Sequence, residues 1–314
     1  MGALYLHGSS VARDARRGLS LLERACDAGC PTACWTLGSA YQGGAGLRGD
    51  TTRAKQYFDR TNALCEEGCQ GGDADRCFTL AGAYLSGHGV SADRGQAQKL
   101  YSRAADLYEA QCNGGDAHAC ARLALQTDHG LGMEESKPKA TAEYEKACDR
   151  GDMESCEEAA KHYDGRQKDL PRDDPRARDL AHKACAGGRA TGCAIANEPE
   201  AFMEIVEAGC SRGSSFDCGS AAFALANGSH GVARDPARAA PLAGRMIELE
   251  QKACDDEDGS ACAALARPYE SGTAEGEPEG TVVKRDSARA TALRKRACEL
   301  GFQSACGGAD GPKH

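Results

Sequence analysis

Apolar side chains in this chain recur three and seven residues after a cysteine: Cys34, Leu37 and Tyr41; Cys77, Leu80 and Tyr84; Cys262, Leu265 and Tyr269. Tyr163 stands seven residues past Cys156 in the same way. This spacing paints one stripe along a helix of 3.6 residues per turn, so it predicts an amphipathic helix, here helix A, starting near each such cysteine. The stripes run into Gly44, Gly87, Gly165 and Gly272, residues that end a helix readily. A second helix, B, opens at an aspartate with alanine four residues on, as in Asp50 and Ala54, Asp93 and Ala97, Asp235 and Ala239, or Asp286 and Ala290. It closes in "YSRAADLYEAQC", "YEKAC" or "LRKRAC".

The cysteines fall into eight couples with seven residues between members: 26/34, 69/77, 112/120, 148/156, 185/193, 210/218, 254/262 and 298/306. First members recur at intervals of 43, 43, 36, 37, 25, 44 and 44 residues, the range of two-helix repeats. On an unbroken helix, residues eight apart are separated by about 12 Å along the axis, and no disulfide spans that. Glycine, however, stands three places after the first cysteine at Gly29, Gly72, Gly115, Gly151, Gly188, Gly213 and Gly301. Next comes Asp73, Asp116, Asp152 or Asp258, an aspartate suited to cap a new helix. The chain therefore reverses inside each couple, which brings the end of helix B beside the start of helix A. Cys26 then reaches Cys34, and so on along the array. Cys30 and Cys65 are left over: they form a ninth bridge or remain two thiols.

Composition sharpens this picture. Aromatics are 5% of 314 residues, Trp35 is the only tryptophan and 39 residues are glycine, so small side chains must do the packing. Eighteen cysteines point to an oxidising compartment, where each bridge across a loop of nine stabilises by about 2.5 kcal/mol on chain-entropy grounds. Reduced, packed thiols in a cytosolic array are the alternative. Zinc is disfavoured, because neither C-x-x-C couples nor cysteines joined to histidines occur. Thirty-eight Lys and Arg against 47 Asp and Glu give a net charge of −9, which attracts neither nucleic acid nor anionic lipid. No run of about 18 apolar residues offers a membrane span.

The phrases "YLSGHGVSADRGQAQKLYSRA" and "YEKACDRGDMESC" resemble the Sel-1-like repeat, a relative of the tetratricopeptide repeat, in the disulfide-bearing form of the Helicobacter cysteine-rich proteins. The resemblance covers nearly the whole chain. It implies an all-α, right-handed αα superhelix of helical hairpins with one bridge per repeat. On that reading residues 1–314 form a single solenoid: a partial first repeat at 1–30, regular repeats at 31–189, a short atypical one at 190–213, regular repeats at 214–303, and the start of another at 304–314. Three stretches depart from the pattern: "ATGCAIANEPEAFMEIVEAGC" is short, Thr127 replaces the stripe tyrosine, and "GTAEGEPEGTVVKRD" lengthens a loop. Tyr5 and Gly8 match the close of a helix A whose cysteines would precede Met1. The expectation is thus an array cut at both ends, so that the lack of a leader carries no weight and the address is secreted or periplasmic. The cytoplasm or the mitochondrial intermembrane space is the alternative, with an assembly factor as the role.

The Helicobacter relatives are associated with penicillin binding and weak β-lactamase activity, so the resemblance also raises an enzyme. Ser136 and Lys139 form an S-x-x-K, the spacing that sets a lysine beside a nucleophilic serine at a helix start. S-D-N and K-T-G are missing, and the plain reading is a loop entering helix B. The histidines of the "HG" pairs, His7, His88, His129 and His230, recur with the loop after helix A and follow the repeat, with no H-E-x-x-H. The glycine-rich "GGAGLRGD" lacks the lysine of a phosphate loop. No cofactor or metal is called for. What remains is a noncatalytic binding module for a protein or peptide on the concave face. If helix A lines that face, the residue two past the second cysteine points inward: Thr36, Thr79, Arg122, Glu158 and Ser220, with Trp35 and Phe78 as candidate anchors.

Overall fold

The structure, a computed structural model, describes residues 2–7, 14–43, 49–163, 171–271 and 285–306. The stripe ends Gly8, Gly44, Gly165 and Gly272, the side chain of His7, most of the lengthened loop and residues 307–314 lie outside these. All regular structure among the described residues is helical. After α1 (Gly2–His7), the helices alternate as B then A. The order is α2 (Ala15–Asp27) and α3 (Pro31–Gly43), α4 (Thr51–Gln70) and α5 (Ala74–Ser86), α6 (Arg94–Asn113) and α7 (Ala117–His129), α8 (Lys137–Asp149) and α9 (Met153–His162). Then follow α10 (Asp174–Ala186) and α11 (Ala190–Ala196), α12 (Pro199–Ser211) and α13 (Ser215–Asn227), α14 (Pro236–Asp255) and α15 (Gly259–Ser271). Last come α16 (Ser287–Glu299) and a 3-10 turn, Gln303–Ala305. The architecture is an all-α repeat solenoid.

Local chemistry sets these boundaries. Asp73, Asp93, Asp116, Asp152, Asp173, Asp235 and Asp286 each accept the N–H three residues on, at 2.7 to 3.1 Å, and so start α5, α6, α7, α9, α10, α14 and α16. Asp258 starts α15 by accepting from Ala261 N–H at 3.1 Å. Serine does the same work at Ser136 and Ser214. Inside each B-to-A turn the glycine three past the first cysteine has positive φ, from 83° at Gly29 to 102° at Gly115. At Gly29, Gly72, Gly115, Gly151 and Gly188 a β-carbon would meet nothing within 4 Å, so backbone twist alone requires glycine there. Glu257 occupies the eighth such position with φ 66°.

Two compact units share the chain. In the unit Thr61–Ile205, each helix from α5 to α11 packs on the next. Its core is built of alanine, cysteine and a few larger groups. One cluster gathers Ala74, Ala104, Ala105, Tyr108, Ala119 and Leu123 around the 69/77 and 112/120 sulfurs, and another gathers Ala140, Tyr144, Ala159, Ala160, Leu180 and Ala181 around 148/156. Small side chains let the helices approach closely, as the composition implied. Thr127, standing where tyrosine was expected, is fully buried, with its hydroxyl 2.8 Å from Glu143 Oε2 and 3.0 Å from Leu123 O. The short repeat is explained by α11: Asn197, at φ 62°, stops it after seven residues, and Pro199 opens α12.

The other unit comprises Met1–Arg60 with Val206–His314. There α1 packs on α2 and α2 on α3, while α13 through α16 pack consecutively. Ala261, Leu265, Ala266, Leu293 and Ala297 enclose the 254/262 sulfurs. Trp35 meets Phe58 edge to face, with ring centroids 5.1 Å apart, so the lone tryptophan packs against its own repeat's helix B.

Candidate functional site

Eight bridges hold the repeats: Cys26–Cys34, Cys69–Cys77, Cys112–Cys120, Cys148–Cys156, Cys185–Cys193, Cys210–Cys218, Cys254–Cys262 and Cys298–Cys306. Cα atoms within a couple lie from 4.5 Å apart at Cys185–Cys193 to 4.9 Å at Cys298–Cys306, the separation that chain reversal makes possible. Cys30 and Cys65 stand outside the eight bridges as thiols. Cys30 takes the capping place before α3, its carbonyl accepting from Cys34 N–H and its sulfur 3.2 Å from Thr32 Oγ1.

Each bridge pins the first turn of the helix that follows it, and that turn presents a consistent set of side chains. Residues two before, two after and five after the second cysteine are four and three apart, so they share one face of helix A. The hydroxyls of Thr36, Thr79 and Ser220 each donate back to the carbonyl four residues earlier, on Thr32, Asp75 and Phe216. Glu158 accepts from Lys161 Nζ at 2.8 Å. The Arg122 guanidinium lies 4.2 Å over the Phe78 ring with its Nε 3.6 Å from Asp75 Oδ1. Phe78 in turn meets Tyr101 edge to face at 5.1 Å.

Arg122 and Phe78 belong to a polar hub that sequence reasoning missed. Its centre is Asp75 on α5. Tyr108, buried on α6, donates its hydroxyl to Asp75 Oδ1 at 2.5 Å, and His118 Nε2 on α7 lies 3.1 and 3.2 Å from the two carboxylate oxygens. Burial works to raise the Asp75 carboxyl, but the bonds from Tyr108 and His118 and the charge of Arg122 outweigh it, and it is held below the usual carboxylate range. Burial, reinforced by that same bond, pushes the Tyr108 phenol up. Near neutral pH the hub is thus a carboxylate fixed among donors. Half exposed, it offers a directional acceptor to whatever meets this face.

Ser136 and Lys139 adopt a structural arrangement. Ser136 Oγ accepts from the Lys139 backbone N–H at 3.4 Å and caps α8, while Lys139 Nζ lies 3.8 Å from Glu143 Oε1. The neighbouring Lys137 pairs with Asp128 at 3.0 Å. No group of three or more metal-ligating side chains occurs among the described residues, and no helix there is long and apolar enough to cross a membrane.

The other side chains that sequence reasoning missed are Phe216 and Phe223 on α13, 78% and 60% exposed on either side of Ser220. A signal existed. Two places before the second cysteine the other repeats carry Thr32, Asp75, His118, Glu154, Thr191, Ser260 and Ser304, all polar, and only this repeat has an aromatic there.

Comparison with known proteins agrees with the repeat. The Sel1 repeat family model matches residues 1–30, 31–61, 77–108, 117–152, 155–188, 218–240 and 259–302. No curated protein matches the chain. Among solved structures, c5321, described as a protective antigen of uropathogenic Escherichia coli with an SLR fold, is 20% identical over 97% of this chain and 68% of its own, with a TM-score of 0.38. A Sel1 repeat protein from Oxalobacter formigenes is 19% identical over 85% and 84%, with a TM-score of 0.35. The immunity protein Pa5087 of Pseudomonas aeruginosa is 16% identical over 77% and 89%, with a TM-score of 0.40. With most of its length matched by consecutive copies of the repeat, and a cysteine bridge at each B-to-A turn, this chain belongs to the Sel1 repeat family.

Proposed function

We propose that this protein is a secreted or periplasmic scaffold that binds a protein or peptide on a helix A face, with α13 as the apolar anchor. Sel1 repeats generally act as protein-interaction scaffolds, and eight disulfides fit an oxidising environment. The observation that carries the reading is the exposure of Phe216 and Phe223, four and three residues from Ser220 on one helix face. Two aromatic rings left in water, one of them at a position that is polar in every other repeat, cost solvation unless a partner covers them. Hot spots of binding have this character. By contrast, Arg122 and Glu158 already have partners within the chain.

The test is capture from the source cell's envelope fraction by the wild type and by a Phe216→Ser/Phe223→Ser double variant, with circular dichroism to establish that both are folded. A specific protein retained by the wild type and lost by the double variant is the expected result. Charge reversal at Arg122 and Glu158 should weaken capture less. Equal capture by the folded double variant would remove α13 as the anchor.

A further inference from the structure

The Cys112–Cys120 bridge has a cation against its sulfurs. Arg150, at the C-terminal cap of α8, reaches back across the preceding repeat's turn. Its Nη1 lies 2.7 Å from the Cys112 carbonyl oxygen, 3.6 Å from Cys112 Sγ and 2.6 Å from Cys120 Sγ. Arg150 stands two places after Cys148 in its repeat. The residues at that position that follow the flanking bridges Cys69–Cys77 and Cys148–Cys156 are Gly114 and Gly187, which bring no side chain. The three bridges are otherwise alike. Their first cysteines are 2%, 3% and 3% exposed in chain order, and their second cysteines are fully buried.

We propose that Cys112–Cys120 is a redox-labile point of the array, which a dithiol reductant opens ahead of its two neighbours. Attack falls on Cys112 Sγ, since Cys112 is the residue of the pair that retains some exposure. The reductant's thiolate bonds to it, the Cys112–Cys120 bond breaks, and the electron pair leaves on Cys120 Sγ as a thiolate facing the Arg150 guanidinium. The reductant's second thiolate then attacks the mixed disulfide at the reductant's own sulfur. This closes a cyclic disulfide and expels Cys112 as a thiolate. Two electrons pass from the dithiol to the protein bridge, and the two protein thiolates equilibrate with solvent protons. A thiol of lower pKa leaves faster, and a cation beside a sulfur lowers its pKa, so Arg150 speeds the step that frees Cys120. Opening this bridge releases the first turn of α7, where His118 and Arg122 flank Cys120.

The folded, oxidised protein would be exposed to dithiothreitol for graded times at pH 8 and quenched with one alkylating label. It would then be fully reduced, given a second label and mapped by mass spectrometry. Cys112–Cys120 should open about threefold or more faster than Cys69–Cys77 and Cys148–Cys156. In Arg150→Gln the three rates should converge, and Arg150→Lys should keep part of the difference. Because the flanking bridges serve as references within the same molecule, a general loss of stability in a variant does not alter the ratio being read. Equal rates in the wild type, or an advantage that survives Arg150→Gln, would overturn the proposal.

Discussion

Arg176 on α10 and Glu145 on α8 form a two-pronged ion pair, Nε to Oε1 at 3.0 Å and Nη2 to Oε2 at 2.8 Å, with the Tyr163 hydroxyl donating to Oε1 at 3.0 Å. Thirty-one residues apart in sequence, the two join one helix B to the next. Arg176 holds the Glu145 carboxyl below its usual range, against the opposing effect of burial. The arginine is nearly half exposed, so solvent discounts the pair, and Glu145→Gln should cost about 1 kcal/mol near pH 7. A carboxyl whose folded pKa is depressed contributes fully above its unfolded pKa, and the contribution fades as pH falls through the folded one. Urea melts of wild type and Glu145→Gln should therefore differ at pH 7 and converge toward pH 3. A gap unchanged by acid would mean that the pair contributes by packing alone.

Much of this fold was legible because its signals are local. A glycine three places past a cysteine, an aspartate cap and a stripe of i, i+3 and i+7 all lie within two turns of chain, where spacing translates directly into geometry. Reversal of the chain between Cys69 and Cys77 could be read from Gly72 and Asp73 alone. The face was harder to read, because its partners come from the next repeat. Asp75 meets Tyr108 and His118 across 33 and 43 residues, and no periodicity says which rotamer reaches which neighbour. The spacing singled out Arg122 and Glu158, but their pairing with Asp75, Phe78 and Lys161 was not legible in it. Phe216 was hidden for another reason: it breaks a polar column that appears only when repeats are compared two places before the second cysteine.

Glu257 tests why glycine recurs in the turns. It holds φ 66° where the seven other turns have glycine, and its side chain is exposed. A β-carbon in the left-handed region costs about 1–2 kcal/mol, whereas glycine costs about 0.4–1 kcal/mol through the freedom it gives the unfolded chain. Glu257→Gly should therefore stabilise by about 0.5–1 kcal/mol, and Gly151→Ala should destabilise by a similar amount, because nothing lies within 4 Å of the added carbon. Gly132→Ala should do far more harm. At φ 77° its β-carbon would fall 2.3 Å from Ser102 N and 2.4 Å from Tyr101 C, so backbone must move as well. Thermal melts of the three variants should rank in that order. A Glu257→Gly variant less stable than the wild type would show that the side chain makes a contribution larger than the strain.

Cys65 offers a direct assay of the sulfur inventory. It is fully buried on α4, one turn before Cys69, and burial pushes its thiol up to about 12. At pH 8 only about one molecule in ten thousand then carries the thiolate, against roughly a quarter for an exposed cysteine. Maleimide should accordingly label Cys65 in the native protein orders of magnitude more slowly than a small-molecule thiol, at a rate set by local opening of the helix. Unfolding in denaturant without reductant removes both barriers. Two thiols per chain, Cys30 and Cys65, should then react, since sixteen of the eighteen sulfurs are bridged. Fast native labelling at Cys65 would contradict its burial. A count well above two would mean that the bridges are incomplete in the compartment that supplied the protein, and the oxidising address would fall with them.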